Sequence, residues 1–206
     1  MNTKTIYSKT RHCLLALGSV ALMAVAAPGQ AKAAEVASAT IIATQIGAGE
    51  YQYNVTLNDT GTTTVGTFWF GWVPGDNFMP VSPTTVTSPA GWTDTITNGG
   101  PSNGYAIQWK ASGAASDLAA GGTLTGFSFE STLTPAQLEA PSAGNPADPV
   151  LTAFIYSGAP FSDAGFQLTP TVSVATATPE PAETGLAGLG LVVLTFAMKR
   201  KGIRNN

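Results

Sequence analysis

Between residues 34 and 178 the chain alternates apolar and polar residues in short runs. Tyr51, Tyr53, Val55 and Leu57 fall on one side of an extended segment, with Gln52, Asn54, Thr56 and Asn58 on the other. Tyr105, Ile107 and Trp109 alternate with Ala106, Gln108 and Lys110, as Phe127 and Phe129 do with Gly126, Ser128 and Glu130. A period of two with one apolar face is what a half-buried antiparallel strand requires. Runs rich in Thr, Val, Ile and aromatics predict further strands over 40–46, 65–73, 84–87, 92–97, 150–157 and 167–174. One helix start is legible: Thr134 as cap, Pro135 at the first helical position and Gln137 at the third. It predicts a turn or two over 135–140, then a loop over 143–149. Short strands separated by Gly, Asn, Asp and Pro point to an all-β domain. A β-sandwich of immunoglobulin or fibronectin-III character is the expected form, with a jelly roll as the runner-up.

Both ends break this texture. Lys4, Lys9 and Arg11 precede an apolar run over 13–27, and Ala31-Lys32-Ala33 places small residues where a signal peptidase needs them. Residues 1–33 therefore read as a secretory signal helix cleaved after Ala33. The apolar run falls short of the roughly 20 residues of a spanning helix and is broken at Pro28-Gly29. Cys13 follows Arg11 and His12 rather than small apolar residues, which argues against a lipoprotein signal.

The other end has three parts: Pro179-Glu180-Pro181, an apolar stretch over 185–198, and Lys199, Arg200, Lys201 and Arg204. Fourteen residues of helix span about 21 Å against a hydrocarbon core of about 30 Å, and Gly185, Gly188 and Gly190 weaken the helix. The basic cluster suits a cytoplasmic end. A short hydrophobic helix with a basic stop fits transient inner-membrane anchoring better than permanent residence.

In order and position, residues 179–206 resemble the PEP-CTERM sorting signal. Pro179, Glu180 and Pro181 match its motif, 186–198 its hydrophobic helix and 199–201 its basic end. The resemblance implies export, recognition by an exosortase-like membrane enzyme, removal of the tail, and association with makers of extracellular polysaccharide or biofilm. The sequence around Pro181 and Thr184 is a poor match to a sortase signal, with one residue too many between Pro and Thr. The organisation expected is a signal over 1–33, a sandwich with a C-terminal spacer over 34–178, and a sorting tail over 179–206.

Composition changes when the ends are set aside. The whole chain carries a formal charge of −3, but between 34 and 178 Lys110 alone faces ten acids, a balance of −9. A module so acidic repels nucleic acid and anionic membranes, leaving neutral sugars, cations and basic surfaces as partners. His12 and Cys13 both lie in the signal, so the remainder has no disulfide, no thiolate or His-based triad and no Cys/His zinc site. A catalytic carboxylate pair is the remaining enzymatic route. The acids are scattered singly near turns, and the expectation is a protein that is not an enzyme.

Two constellations could bind something. Within Thr67-Phe68-Trp69-Phe70-Gly71-Trp72, a regular strand places Phe68, Phe70 and Trp72 on one face and Trp69 on the other. Either Trp69 belongs to a central strand covered by a loop such as 77–87, or Trp69 and Trp92 form an exposed platform for a sugar ring. Asp59, Asp76, Asn77, Asp94 and Asp117 offer hard oxygen ligands for calcium, without the spacing of a calcium loop. The expected function is that of an exported, non-catalytic surface or matrix protein. A carbohydrate-binding module is the alternative.

Overall fold

The computed structural model describes residues 35–175. The signal over 1–33 with Ala31 and Ala33, the last residues of the spacer, and the tail with Pro179, Glu180 and Pro181 lie outside the described residues. Among the described residues no helix is long and apolar enough to cross a membrane.

Two five-stranded sheets form a sandwich. One contains β1 (Ala37–Gly47), β2 (Glu50–Asp59), β6 (Thr84–Thr87), β9 (Thr123–Ser131) and β12 (Thr171–Val174) in the order β12-β1-β2-β9-β6. The other contains β3 (Thr67–Phe70), β7 (Trp92–Gly99), β8 (Gly104–Ala111), β10 (Ala153–Tyr156) and β11 (Phe166–Leu168) in the order β11-β10-β3-β8-β7. A small hairpin of β4 (Trp72–Val73) and β5 (Asp76–Asn77) leaves β3, turning at Pro74-Gly75. The helix α1 (Pro135–Glu139) has the expected capping box: Thr134 Oγ1 accepts from the Gln137 N–H, and Gln137 Oε1 accepts from the Thr134 N–H.

Alternation explains the layers. Ala37, Ala39, Ile41 and Ala43 of β1 point inward while Ser38, Thr40 and Ile42 point out. On β2 the inward row is Tyr53, Val55 and Leu57, and it ends on Asp59, which is only 3% exposed. Opposite them stand Phe68, Phe70, Ile107 and Trp109, all fully buried. Phe68 stacks on Trp109 at 5.5 Å, and Phe127 meets both rings edge-on at 5.5 and 5.3 Å. The register of β9 against β2 shifts between Val55 and Leu57. Gly126, at φ +96°, permits that bulge, because other residues are strained there.

One pairing sets the direction of the whole domain. β12 runs parallel to β1, with Thr40 beside Thr171 and Ala43 beside Val174. The chain thus enters at Ala37 and leaves past Val174 travelling the same way. Those two points lie six residues apart along β1, roughly 20 Å. The sandwich has an N-terminal pole near Ala37 and a C-terminal pole where residue 175 exits.

Candidate functional site

The outer face of the β3 and β10 strands is apolar, where a sandwich ordinarily presents polar residues to water. Trp69, Phe154 and Tyr156 project outward there, and Trp72 and Ala106 complete a second cluster distinct from the inner core. The sequence pattern put Trp72 with Phe68 and Phe70. The structure corrects this: Gly71 takes φ +67°, ends β3 and swings Trp72 round to the Trp69 side. The two indoles then stack with centroids 4.2 Å apart at 17°.

The cover is the 157–165 loop, not 77–87. Its last residue, Gly165, lies so close to the outer rings that a Cβ there would sit 2.1 Å from Phe154 Cε1 and 2.6 Å from Tyr156 Cε1. At its tip Phe161 is 65% exposed, yet its ring lies 5.8 Å from Trp72 and 5.5 Å from Tyr156. Phe161 adopts φ +62°, a left-handed conformation that costs a non-glycine residue roughly 1–2 kcal/mol. Beneath it Trp69 is 5% exposed, and its Nε1 has no hydrogen-bond partner among the described residues.

Trp92 lies elsewhere. It belongs to the inner core at 6% exposure, edge-on to Phe127 at 5.2 Å, with Nε1 donating to the Ser116 carbonyl at 2.8 Å. The structure therefore does not bring Trp69 and Trp92 into one platform. It gives Trp69 a different partner, Trp72, which sequence periodicity had placed on the opposite face.

At the N-terminal pole the 157–165 loop meets a group of acids. The Asp163 carboxylate accepts from the Ser157 hydroxyl, from the Ser157 N–H at 2.9 Å and from the Gly165 N–H at 2.7 Å. Burial works against its charge, but the Ser157 and Gly165 donors, with a hydrogen bond to Glu35, outweigh it and hold Asp163 below the usual carboxylate range. Glu35 is half-buried; burial first, then the Asp163 charge and hydrogen bond and the Asp59 charge, push its carboxyl up to about 8. Asp59, raised chiefly by burial, accepts from the Gly61 N–H at 2.7 Å through Oδ1. Its Oδ2 and Glu35 Oε1 have no hydrogen-bond partner among the described residues.

The other acids considered for calcium bond locally. Asp76 accepts from the Asn77 N–H and from Ser102, and Asp94 from the Ser88 hydroxyl at 2.6 Å. Among the described residues no group of three or more His, Cys, Asp or Glu side chains is placed to hold a metal ion. At the C-terminal pole an open depression of about 640 Å³ lies beside Tyr51, Pro135, Ala136, Val172 and Val174.

No family model matches the chain, and no curated protein does. Among solved structures it is similar to a GH20 exo-β-N-acetylglucosaminidase from Vibrio harveyi, with TM-score 0.36 and 9% identity over 70% of this chain. The chain spans about a fifth of that enzyme, 19% of its length. It is also similar to a biomass-sensing module of Rsgi-like proteins from Clostridium thermocellum, described as resembling a family 3 carbohydrate-binding module. That match has TM-score 0.38 and 11% identity over 61% of this chain and 95% of that one. A family IIIa CBD from Clostridium cellulolyticum matches with TM-score 0.36 and 10% identity over 61% and 97% of the two chains. Likenesses of this size assign neither a family nor a ligand.

Sequence reasoning missed Glu35, Asp163, Trp72 and Phe161. The acids are 128 positions apart, and only the fold joins Glu35, just before β1, to the loop after β10. Gly71 was the available signal for Trp72, since a glycine inside an aromatic strand marks a break in alternation.

Proposed function

We propose that the chain is an exported, non-catalytic surface or extracellular-matrix protein. Signal peptidase would cut after Ala33, and an exosortase-like enzyme would recognise Pro179-Glu180-Pro181 while the tail is transiently held in the inner membrane. The sandwich, of immunoglobulin or fibronectin-III character on this reading, is then delivered to the surface or matrix. The observation that carries the reading is the parallel β1–β12 pair, which puts residues 37 and 174 toward opposite poles of the sandwich. Such a module stands on its C-terminal pole with the N-terminal pole outward, as a displayed protein should.

The carboxyls support a non-catalytic role. Asp163 and Asp59 each spend a carboxylate oxygen on the backbone N–H of their own turns, at Gly165 and Gly61, as structural carboxylates do. Intact mass of the secreted protein, with and without the exosortase gene, tests the sorting. Loss of residues 199–206 that depends on the gene is expected; retention in both strains overturns the claim.

A second reading has its own observation: the Trp69–Trp72 stack with its unpartnered indole N–H beneath a strained, exposed Phe161. An exposed aromatic ring backed by two stacked indoles suits a sugar ring, and an acidic module favours neutral polysaccharide. Affinity electrophoresis through the producer's own polysaccharide tests this with Trp72→Ala and Phe161→Ala. Retardation that changes with either substitution supports it. No retardation, or retardation indifferent to both, refutes it.

A further inference from the structure

The 157–165 loop has a fixed foot and a strained tip. Asp163 ties both ends of the foot, accepting from the Ser157 N–H at 2.9 Å and the Gly165 N–H at 2.7 Å. Thr67 Oγ1 donates to the Gly158 carbonyl, and a Cβ on Gly66 would lie 2.5 Å from the Gly158 Cα. The neck of the loop therefore rests directly on the start of β3. The tip is the turn Ala159-Pro160-Phe161-Ser162, closed by the Ser162 N–H donating to the Ala159 carbonyl at 3.1 Å. Proline in second place and φ +62° in third make it a type II turn, whose third place ordinarily takes glycine. Here it holds phenylalanine.

The closed turn carries two unfavourable features. Phe161 is strained, and Trp69 is 5% exposed with an indole N–H that has no acceptor among the described residues. Aromatic contact holds both in place: the Phe161 ring lies 5.5 Å from Tyr156, 5.8 Å from Trp72 and 6.5 Å from Trp69. A relaxed alternative is close at hand. Rotating the Pro160–Phe161 peptide converts the turn to type I, which returns Phe161 to negative φ and still favours proline in second place. The Ser162–Ala159 bond survives that rotation. Among the described residues no hydrogen bond is made by the Pro160 carbonyl or the Phe161 N–H, so the rotation breaks none.

We propose that this turn is a gate over a buried donor: once the Phe161 ring lifts away, Trp69 Nε1–H donates to a hydroxyl or ring oxygen of a neutral sugar lying on Trp72. The proposal rests on the carbohydrate-binding reading and adds to it the group that recognises the sugar. An indole N–H only donates, so the site selects an oxygen acceptor and offers nothing to a cation. The balance of −9 between 34 and 178 turns away anionic sugars. Binding repairs both faults of the closed form, because the N–H gains its acceptor and Phe161 leaves its strained φ. The foot stays in place throughout, held by Asp163 and Thr67, so only residues 159–162 move.

The experiment follows the indole N–H signals of the full chain by NMR. Without ligand, the Trp69 N–H is expected to exchange with solvent about tenfold faster than those of Trp92 and Trp109, which are as buried but hydrogen-bonded. Phe161→Ala should quicken Trp69 about tenfold more and leave Trp92 and Trp109 unchanged. A Trp69 signal no faster in Phe161→Ala than in the native chain overturns the gate. Neutral oligosaccharides cut from the producer's own polysaccharide are then titrated in. The Trp69 N–H should shift and its exchange should slow. Trp69→Phe should weaken binding about tenfold, whereas Phe161→Ala should bind at least as tightly as the native chain. Binding that leaves the Trp69 signal unmoved overturns the proposal and spares the carbohydrate-binding reading. A gate that opens while no oligosaccharide binds overturns that reading, and the assigned ligand with it.

Discussion

The two aromatic clusters of the sandwich use the same residue types and complete them differently. In the inner core both indole N–H groups are satisfied: Trp109 donates to the Thr87 carbonyl at 3.0 Å and Trp92 to the Ser116 carbonyl at 2.8 Å. Tyr53 likewise donates to the Leu133 carbonyl. On the outer face Trp69 is as deeply buried, but its N–H has no such partner, and the ring above it is more exposed than covered. Inner aromatics are held by strands from both sheets. The outer ones are held by one sheet and a loop. That difference separates a cluster built for stability from one with bonding capacity to spare.

Substitutions can test the contrast, the largest effect first. Phe68→Ala removes a ring packed between Trp109 and Phe127, and is expected to lower stability by about 3–5 kcal/mol in urea unfolding. A result below about 1 kcal/mol would mean that the inner cluster is not the core. Next, Trp109→Phe breaks the bond to Thr87 while Trp69→Phe breaks none. The first should therefore be more destabilising by about 1 kcal/mol. Equal losses would show that the Trp69 N–H finds an acceptor in solution.

A pH series compares the loop's acidic anchor with its aromatic tip. In the uncleaved chain Glu35 titrates at about 8 when folded and at the ordinary carboxylate value of 4.5 when unfolded. Folding therefore binds the proton more tightly, and this contribution is full below pH 4.5 and lost as pH rises through about 8. Asp163 has the opposite sign: its contribution is present above 3.8 and lost as pH falls through its lowered value. Tm should decline from pH 4.5 to 8 in the uncleaved chain, and Glu35→Gln should flatten the decline. Phe161→Ala is the mildest change, expected within about 0.5 kcal/mol because the lost ring is mostly exposed and φ strain remains. Its signature is greater quenching of indole fluorescence by acrylamide.

Much of the scaffold was legible in the chain. β6 falls at the expected positions 84–87, the capping box at Thr134 forms, and the inward rows of β2, β8 and β9 follow the apolar alternation. These features depend on neighbours one to four residues apart. The site did not read out so well because it depends on longer separations and on breaks in the pattern. A positive φ at Gly71 moves Trp72 across the sheet. Asp76 and Asn77, expected in a turn, instead pair with Val73 and Trp72. Asp59 keeps the inward phase of β2 and so buries a charge, although the acids had been read as scattered near turns.

The parallel β1–β12 pair has a mechanical side. A pull between the first strand and the tail runs along both strands, so the backbone bonds linking them are loaded sideways and together. Hairpin partners pulled from their open end instead unzip, each bond taking the load in turn. A short clamp of four matched positions, Thr40 to Ala43 against Thr171 to Val174, would then be the joint through which tension at the tail enters the domain.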